Sequence, residues 1–269
     1  MPDSSDPFAE FKAQQRQSWI HFAPLEAVTT APAAHLVRFA RVRAGARVLD
    51  VGCGTGVVAV TAARAGARVD ALDLTPELLA VAADNAAIAG VEIAWREGDA
   101  EALPYPDAAF DFVLSQYGHM FAPRPDVATR EMLRVLRPGG TIALSTWPPE
   151  LFTGRVFALV ARYAPPPPPG VAPPPAWGDP AIVRERLGAA VKDLAFDRGV
   201  MHFPALSPQH HRARFERTAG PVIKLVQVLE KSDPARLADF RREYESLAAE
   251  YFHDNTIQQG FLLARAIKV

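Results

Sequence analysis

Between about residues 46 and 147 short β-branched runs alternate with Ala- and Leu-rich amphipathic stretches, and this alternation narrows the fold more than any other feature. The spacing predicts strands at 47–51, 68–72, 91–96, 110–115 and 141–146, with helices at 57–65, 76–89 and 126–136. Such a series builds an α/β fold: a doubly wound, mostly parallel sheet with helices on both faces. Thr75, Pro76 and Glu77 form a good helix start, with a hydroxyl cap, a first-turn proline and an acid at the positive end of the dipole. "RPGG", residues 137–140, reads as a helix stop followed by a turn. Sheets of this kind take ligands beyond the carboxyl ends of their strands.

The first strand runs into "VLDVGCGTGVVAV", where Gly52, Gly54 and Gly56 suit a tight turn and the close approach of backbone to a ligand. Two departures separate it from a dinucleotide loop. The G-x-G-x-x-G fingerprint requires glycine where Val57 stands, and Asp50 would repel a pyrophosphate. A ligand that is cationic near the loop removes the conflict. S-adenosylmethionine (SAM) has no phosphate and carries a sulfonium and an ammonium, which Asp50 would orient directly or through water and loop donors. Asp73 ends the second strand about 20 residues beyond the glycines, where it would accept from ribose hydroxyls. Asp99 closes the third, placed to accept from an adenine amine while the Ala100 N–H reaches a ring nitrogen. Glu101 reads either as a further contact or as a solvated loop acid.

Four motifs in order, "VLDVGCGTG", "ALDLTPELL", "GDAEALPYPDAAFDFVLS" and "MLRVLRPGGTIALSTW", resemble class I SAM-dependent methyltransferases, in particular the ubiquinone/menaquinone-biosynthesis-like (methyltransferase type 11) branch. The resemblance spans roughly residues 15–147. It implies a Rossmann-like seven-stranded sheet, five parallel strands and a terminal pair with one antiparallel strand. It also implies SAM as cofactor and S-adenosylhomocysteine as product. By position it places Gly52, Cys53, Gly54, Thr55 and Gly56 at the methionine part, with Asp50 supporting that end. Asp73 falls to the ribose, Leu74 to the adenosine, and Asp99, Ala100 and Glu101 to the adenine side. Ser115 has its backbone toward the methionine end or the acceptor.

The remaining segments divide around this core of 46–147. Within 1–45, residues 7–22 read as a helix carrying Phe8, Phe11, Trp19 and Phe22, either simply packed or a flap that brings Trp19 over the cofactor. Residues 148–255 read as connector and helical lid. The proline-rich 164–180 excludes helix and central strand, a strand falls near 200–204, and Leu237, Phe240, Tyr244, Leu247 and Tyr251 form one helical stripe. Residues 256–269 read as a final strand.

Composition excludes several activities. A net charge of −1 offers no broad attraction to nucleic acid. No apolar run reaches the ~20 residues of a membrane span, and the acidic N-terminus is no signal peptide, so a cytoplasmic protein is expected. A single cysteine rules out an internal disulfide and multi-cysteine metal sites. "SQYGHMF" after the fourth strand lacks the [DNS]-P-P-[YFW] motif of amino-methylating DNA enzymes and the acids of a catechol-type metal site. Cys53, in the cofactor loop, is no cytosine-C5 nucleophile. A small-molecule acceptor and no metal are therefore expected, with oligomeric state left open.

For catalysis His119 is the candidate base and Tyr117 a pocket-shaping or hydrogen-bonding group. His210 and His211 read as lying on a polar helix face, and Arg212 and Arg214 as binders of an anionic acceptor. Phe203, Phe215 and Trp177 read as pocket lining or core. Two other functions compete: a SAM-binding module without transferase activity, and an NAD-dependent oxidoreductase.

Overall fold

The computed structural model describes residues 6–269, so the first five residues of the 1–45 segment lie outside it. Helix α1 (Ala9–Trp19), a 3₁₀ turn (Ile20–Leu25) and α2 (Glu26–Ala40) lead into β1 (Arg47–Val51). Next come α3 (Val57–Arg64), β2 (Arg68–Asp73), α4 (Pro76–Ala89), β3 (Ala94–Glu97), β4 (Phe110–Gln116), α5 (Pro125–Val135) and β5 (Leu136–Thr146). The rest comprises α6 (Phe152–Tyr163), α7 (Pro180–Leu187), β6 (Val191–Pro204), α8 (Pro208–Thr218), α9 (Gly220–Ser232), α10 (Pro234–Ala249), β7 (Phe252–His253) and β8 (Thr256–Lys268).

Seven strands lie in the order β3-β2-β1-β4-β5-β8-β6, and the two-residue β7 pairs with β8. The first five are parallel; β8 runs antiparallel to both β5 and β6. Strand order reverses between β1 and β4, and crevices at such switch points are where α/β sheets bind ligands. Val48, Leu49, Val51, Val113 and Leu114 are buried there, as parallel strands covered on both faces require.

Three strands differ from the sequence reading, and the proline-rich stretch holds a short 3₁₀ helix at Pro174–Gly178 where no helix is expected. β3 starts at Ala94 rather than 91, because Gly90 (φ +67°) ends α4 in a left-handed cap and the Val91 N–H is spent on the Ala86 carbonyl (3.0 Å). "RPGG" is no separating turn: β5 starts at Leu136, and the four residues form an irregularity within it, where pairing shifts between Phe110 and Phe112 and Gly139 has φ +72°. β6 is far longer than 200–204 and forms the outer edge of the sheet. Its charged residues Lys192, Asp193 and Asp197 hide the apolar alternation, and a register shift before Ala195 breaks it further.

Helices α6, α8, α9 and α10 enclose a second apolar cluster that includes Phe152, Val156, Leu225, Phe240 and Tyr244. The α10 stripe is buried at Leu237, Phe240, Tyr244 and Leu247; the helix ends at Ala249, so Tyr251, half-buried, lies in the turn beyond it. Among the described residues, no helix is long and apolar enough to cross a membrane.

Candidate functional site

A cavity of about 120 Å³ opens at the carboxyl ends of β1 to β4, roofed by α1. Gly52 and Gly54 line it from β1, Asp73 and Leu74 from β2, Asp99 and Ala100 from β3, Tyr117 from β4 and Trp19 from the roof. Gly52 has φ +67°, and a Cβ there would stand 2.8 Å from Gly118 Cα, so the loops after β1 and β4 meet backbone to backbone. Asp73 Oδ2 accepts from the Gly54 N–H (2.8 Å) and Oδ1 from the Thr75 N–H (2.9 Å). Burial raises its pKa, opposed by those backbone bonds. Lone pairs remain on both oxygens for a ligand's hydroxyls.

Other residues expected around the cofactor support this loop from behind without lining the cavity. Asp50 is buried beneath α3: Oδ2 accepts from the Ala59 N–H (3.0 Å) in the helix's first turn, and Oδ1 has no partner. Burial pushes its pKa up to about 8. Thr55 gives its carbonyl to Asn85 Nδ2 (3.0 Å). Gly56 is held bare by packing, since a Cβ would lie 2.8 Å from the Trp95 ring. Cys53 is buried in the core, and burial, Asp73 and Asp50 push its thiol pKa up. Ser115 clasps two loops, donating to the Val51 carbonyl (2.6 Å) and accepting from the His119 N–H (3.1 Å).

His119 does not face the cavity. Tyr117 adopts φ +64°, and the 3₁₀ turn that follows swings the imidazole inward, edge-on to Trp177 at 4.7 Å. The ring is fully buried with both nitrogens unpartnered, and burial, with Arg186 nearby, lowers its pKa to about 3. Trp177 is therefore core. Tyr117 stacks on Trp147 (4.2 Å, 13°) as a wall, and burial pushes its phenol pKa upward.

The neutral His119 has a measurable consequence. Unfolded it titrates near 6.5 and folded near 3, so between these values the unfolded chain binds more protons and stability rises with pH. His119→Phe should flatten that rise by about 1.4 kcal/mol per pH unit. Urea unfolding at pH 6, 5 and 4 checks this; parallel wild-type and variant curves would show that the folded imidazole is protonated.

Lys12, which sequence reasoning missed, lines the cavity beside Asp99. Its ammonium is 2.6 Å from each of Asp6, Asp99 and Glu101 and only 7% of the residue is exposed. A signal existed: Lys12 lies four residues after Phe8 and seven before Trp19, so it interrupts the apolar stripe of α1. Glu101 is neither solvated nor in the cavity lining. It is buried, accepting from the Arg124 N–H (2.5 Å), Arg124 Nε (2.8 Å) and Lys12. Among the described residues, Asp6, Asp99 and Glu101 are the one group close enough to share a cation, and Lys12 already neutralises it.

A second cavity, about 90 Å³, shares Trp19, Phe22, Phe121 and Trp147 with the first. Phe203 and Phe215 line it. His211 is not on a polar face: it is fully buried, 4.5 Å from the Phe203 ring, whereas His210 accepts from the Leu206 N–H. Arg212 is held by Glu216 (2.7 Å) and Glu245 (2.6 Å), and Arg214 donates to the Pro204 carbonyl (3.1 Å), so neither reaches an anion in this chamber.

Residues 49–144 match the family model described as a methyltransferase domain. An uncharacterised protein of Mycobacterium tuberculosis is 39% identical over 234 residues, 87% of this chain and 85% of the relative. Demethylmenaquinone methyltransferase of Thermus thermophilus is 38% identical over 122 residues, 45% of this chain and 54% of that one. The YcgJ protein of Bacillus subtilis shares the fold, with a TM-score of 0.57 at 23% identity, covering 88% of this chain and 98% of that one. The chain belongs to the class I, Rossmann-like methyltransferases.

Proposed function

We propose that this chain binds SAM in the first cavity and methylates a small-molecule acceptor. The observation that carries the reading is Asp73, a carboxylate at the end of β2 that faces the cavity while bonded to the glycine loop. The cavity suits such a ligand at both ends. At Gly54 a Cβ would meet nothing nearer than the Phe22 ring at 3.8 Å, leaving an open backbone cradle. At the other end Lys12 offsets the charge of Asp99 beside the Ala100 N–H.

In this reading Gly52 and Gly54 hold the methionine part, Asp73 the ribose, Leu74 one face of the adenosine, and Asp99 with Ala100 the adenine. Asp50, Cys53, Thr55, Gly56, Ser115 and Glu101 keep that frame rigid. Bound there, SAM would supply a methyl on a positive sulfur: the acceptor's lone pair would take the methyl as the carbon–sulfur bond breaks, leaving neutral S-adenosylhomocysteine, with the positive charge kept by the acceptor or lost from it as a proton to water. Orientation is then the main contribution of the protein. Trp19, Tyr117 and Trp147 wall the cavity with aromatic faces, which favour a neighbouring cation and keep out water.

Calorimetry should detect binding of SAM and S-adenosylhomocysteine, and Asp73→Asn should weaken both by about 1–3 kcal/mol. Unchanged affinity in the folded variant would remove the ribose role. The burial of His119 away from the cavity also favours a second reading, a SAM-binding module without transfer. Formation of S-adenosylhomocysteine from SAM in the presence of an acceptor separates the two.

A further inference from the structure

We infer that the second cavity is the acceptor chamber, and that it takes an uncharged, largely apolar molecule whose single hydroxyl or carbonyl oxygen is bound by Thr153 and Gln259. The inference rests on the transferase reading, because the chamber receives a methyl only if the donor occupies the first cavity.

Continuity comes first. Trp19, Phe22, Phe121 and Trp147 belong to both cavities, so the two adjoin along this aromatic frame. Trp19 stands edge-on to Phe121 at 4.5 Å, and Trp147 lies 6.0 Å from Phe157, deeper in the second cavity. These rings offer flat faces to a flat or apolar guest.

Charge decides the class of guest. Among the described residues, no Asp, Glu, Lys, Arg or His side chain lines the second cavity. An ionised carboxylate, phosphate or ammonium would lose its water there and gain no counter-ion, at a cost of several kcal/mol. Arg212 and Arg214, at its margin in sequence, are committed elsewhere.

The polar groups are few and held in place. Thr29 spends its one hydrogen on the Leu25 and Glu26 carbonyls, so the free donor on this wall is Gln259 on β8, with Thr153 on α6 beside it as acceptor. Thr153 Oγ1 donates to Gln259 Oε1 (3.3 Å), Gln259 Nε2 lies 3.4 Å from His211 Nε2, and His211 Nδ1 lies 3.0 Å from Tyr244 Oη. With the imidazole neutral, one direction of donation satisfies the chain: threonine to glutamine, glutamine to histidine, histidine to tyrosine. Gln259 then retains one N–H, and Thr153 retains a lone pair. A donor beside an acceptor on an otherwise apolar wall matches a hydroxyl, and its donor alone matches a carbonyl. His211 touches no guest; it is a positioning residue that fixes the Gln259 amide.

Three probes of one shape test this: naphthalene, 2-naphthol and 2-naphthoate, titrated at pH 7 with tryptophan fluorescence as readout, with and without S-adenosylhomocysteine. 2-Naphthol should bind, and 2-naphthoate should bind at least tenfold more weakly. Gln259→Leu should weaken 2-naphthol at least fivefold and leave naphthalene unweakened, and Thr153→Val should act in the same sense. The inference is overturned if naphthoate binds as well as naphthol, if none of the three binds, or if folded variants lose naphthol and naphthalene equally. Should both variants fail to fold, the naphthol-to-naphthoate ratio of the wild-type protein still decides. S-adenosylhomocysteine binding, measured on the same samples, tests the transferase reading separately: its loss with naphthol selectivity intact sinks that reading, and the converse sinks only this one.

Discussion

Replacing Lys12 by methionine should cost about 3–5 kcal/mol of stability and sharply weaken S-adenosylhomocysteine binding. Methionine keeps the apolar stem and removes only the ammonium, leaving three carboxylates whose oxygens lie within 4.8 Å of one another. Glu101 retains Arg124, and Asp6 retains Arg124 and the Phe8 N–H, but Asp99 keeps only the Glu101 N–H. Asp6 and Asp99 are 19% and 27% exposed at the side chain, so water relieves part of the repulsion and the lower end of the range is expected. Burial opposes the charges on Lys12 and Asp6, yet their mutual bonds leave the lysine pKa raised and the aspartate pKa lowered. The cluster therefore stabilises the fold from above the ordinary aspartate pKa up to the ordinary lysine pKa. It weakens as Asp6 protonates in acid or as Lys12 deprotonates in strong base.

The loss should concentrate in α1, because Lys12 ties this helix to the loop after β3. Hydrogen exchange in Ala9–Trp19 should accelerate more than in β1. Adding Asp99→Asn to Lys12→Met should recover part of the loss, because Asp99 is the carboxylate left without a cation. A change below about 1 kcal/mol would show the cluster to be no stronger than a surface ion pair.

Gly52→Ala should be comparably severe for a different reason. At φ +67° an L-residue costs about 1–2 kcal/mol. The new methyl would also stand 2.8 Å from Gly118 Cα and 3.2 Å from its carbonyl carbon. Neither atom can rotate away, and overpacking of this kind costs a further ~1–3 kcal/mol. The two loops that meet there form one side of the first cavity, so if the cofactor binds there as proposed, pushing them apart should also reduce S-adenosylhomocysteine affinity at least tenfold. Gly90→Ala is the control: the same φ of +67°, with nothing within 4 Å of the added carbon. It should cost only about 1 kcal/mol. Urea unfolding of both variants reads the difference, and equal costs would mean that the Gly118 loop yields freely.

Local signals carried much of the fold. β1 and α4 occupy 47–51 and 76–89 as their patterns dictate, because a glycine turn, a Thr-Pro start and unbroken periodicity act within a few residues. β6 was legible only at 200–204, since an edge strand keeps its charges and bulges and loses the alternation that marks buried strands. In the site, the acids ending β2 and β3 and the bare glycines were legible because strand ends and turns leave local marks. Side-chain direction was not. His119 lies three residues past the end of β4, much as Asp99 lies two past the end of β3, but the left-handed turn at Tyr117 sends it into the core.

The sequence by itself determined the order of elements and the glycine turn after β1, since each is written in neighbouring residues. The tertiary structure decided which side chains became a site. Lys12 meets Asp99 across 87 positions, Trp19 meets Phe121, and Gln259 meets Thr153 across 106. No periodicity encodes such meetings. They follow from packing α1 and the second helical layer onto one edge of the sheet, where burial rather than spacing selects the partners.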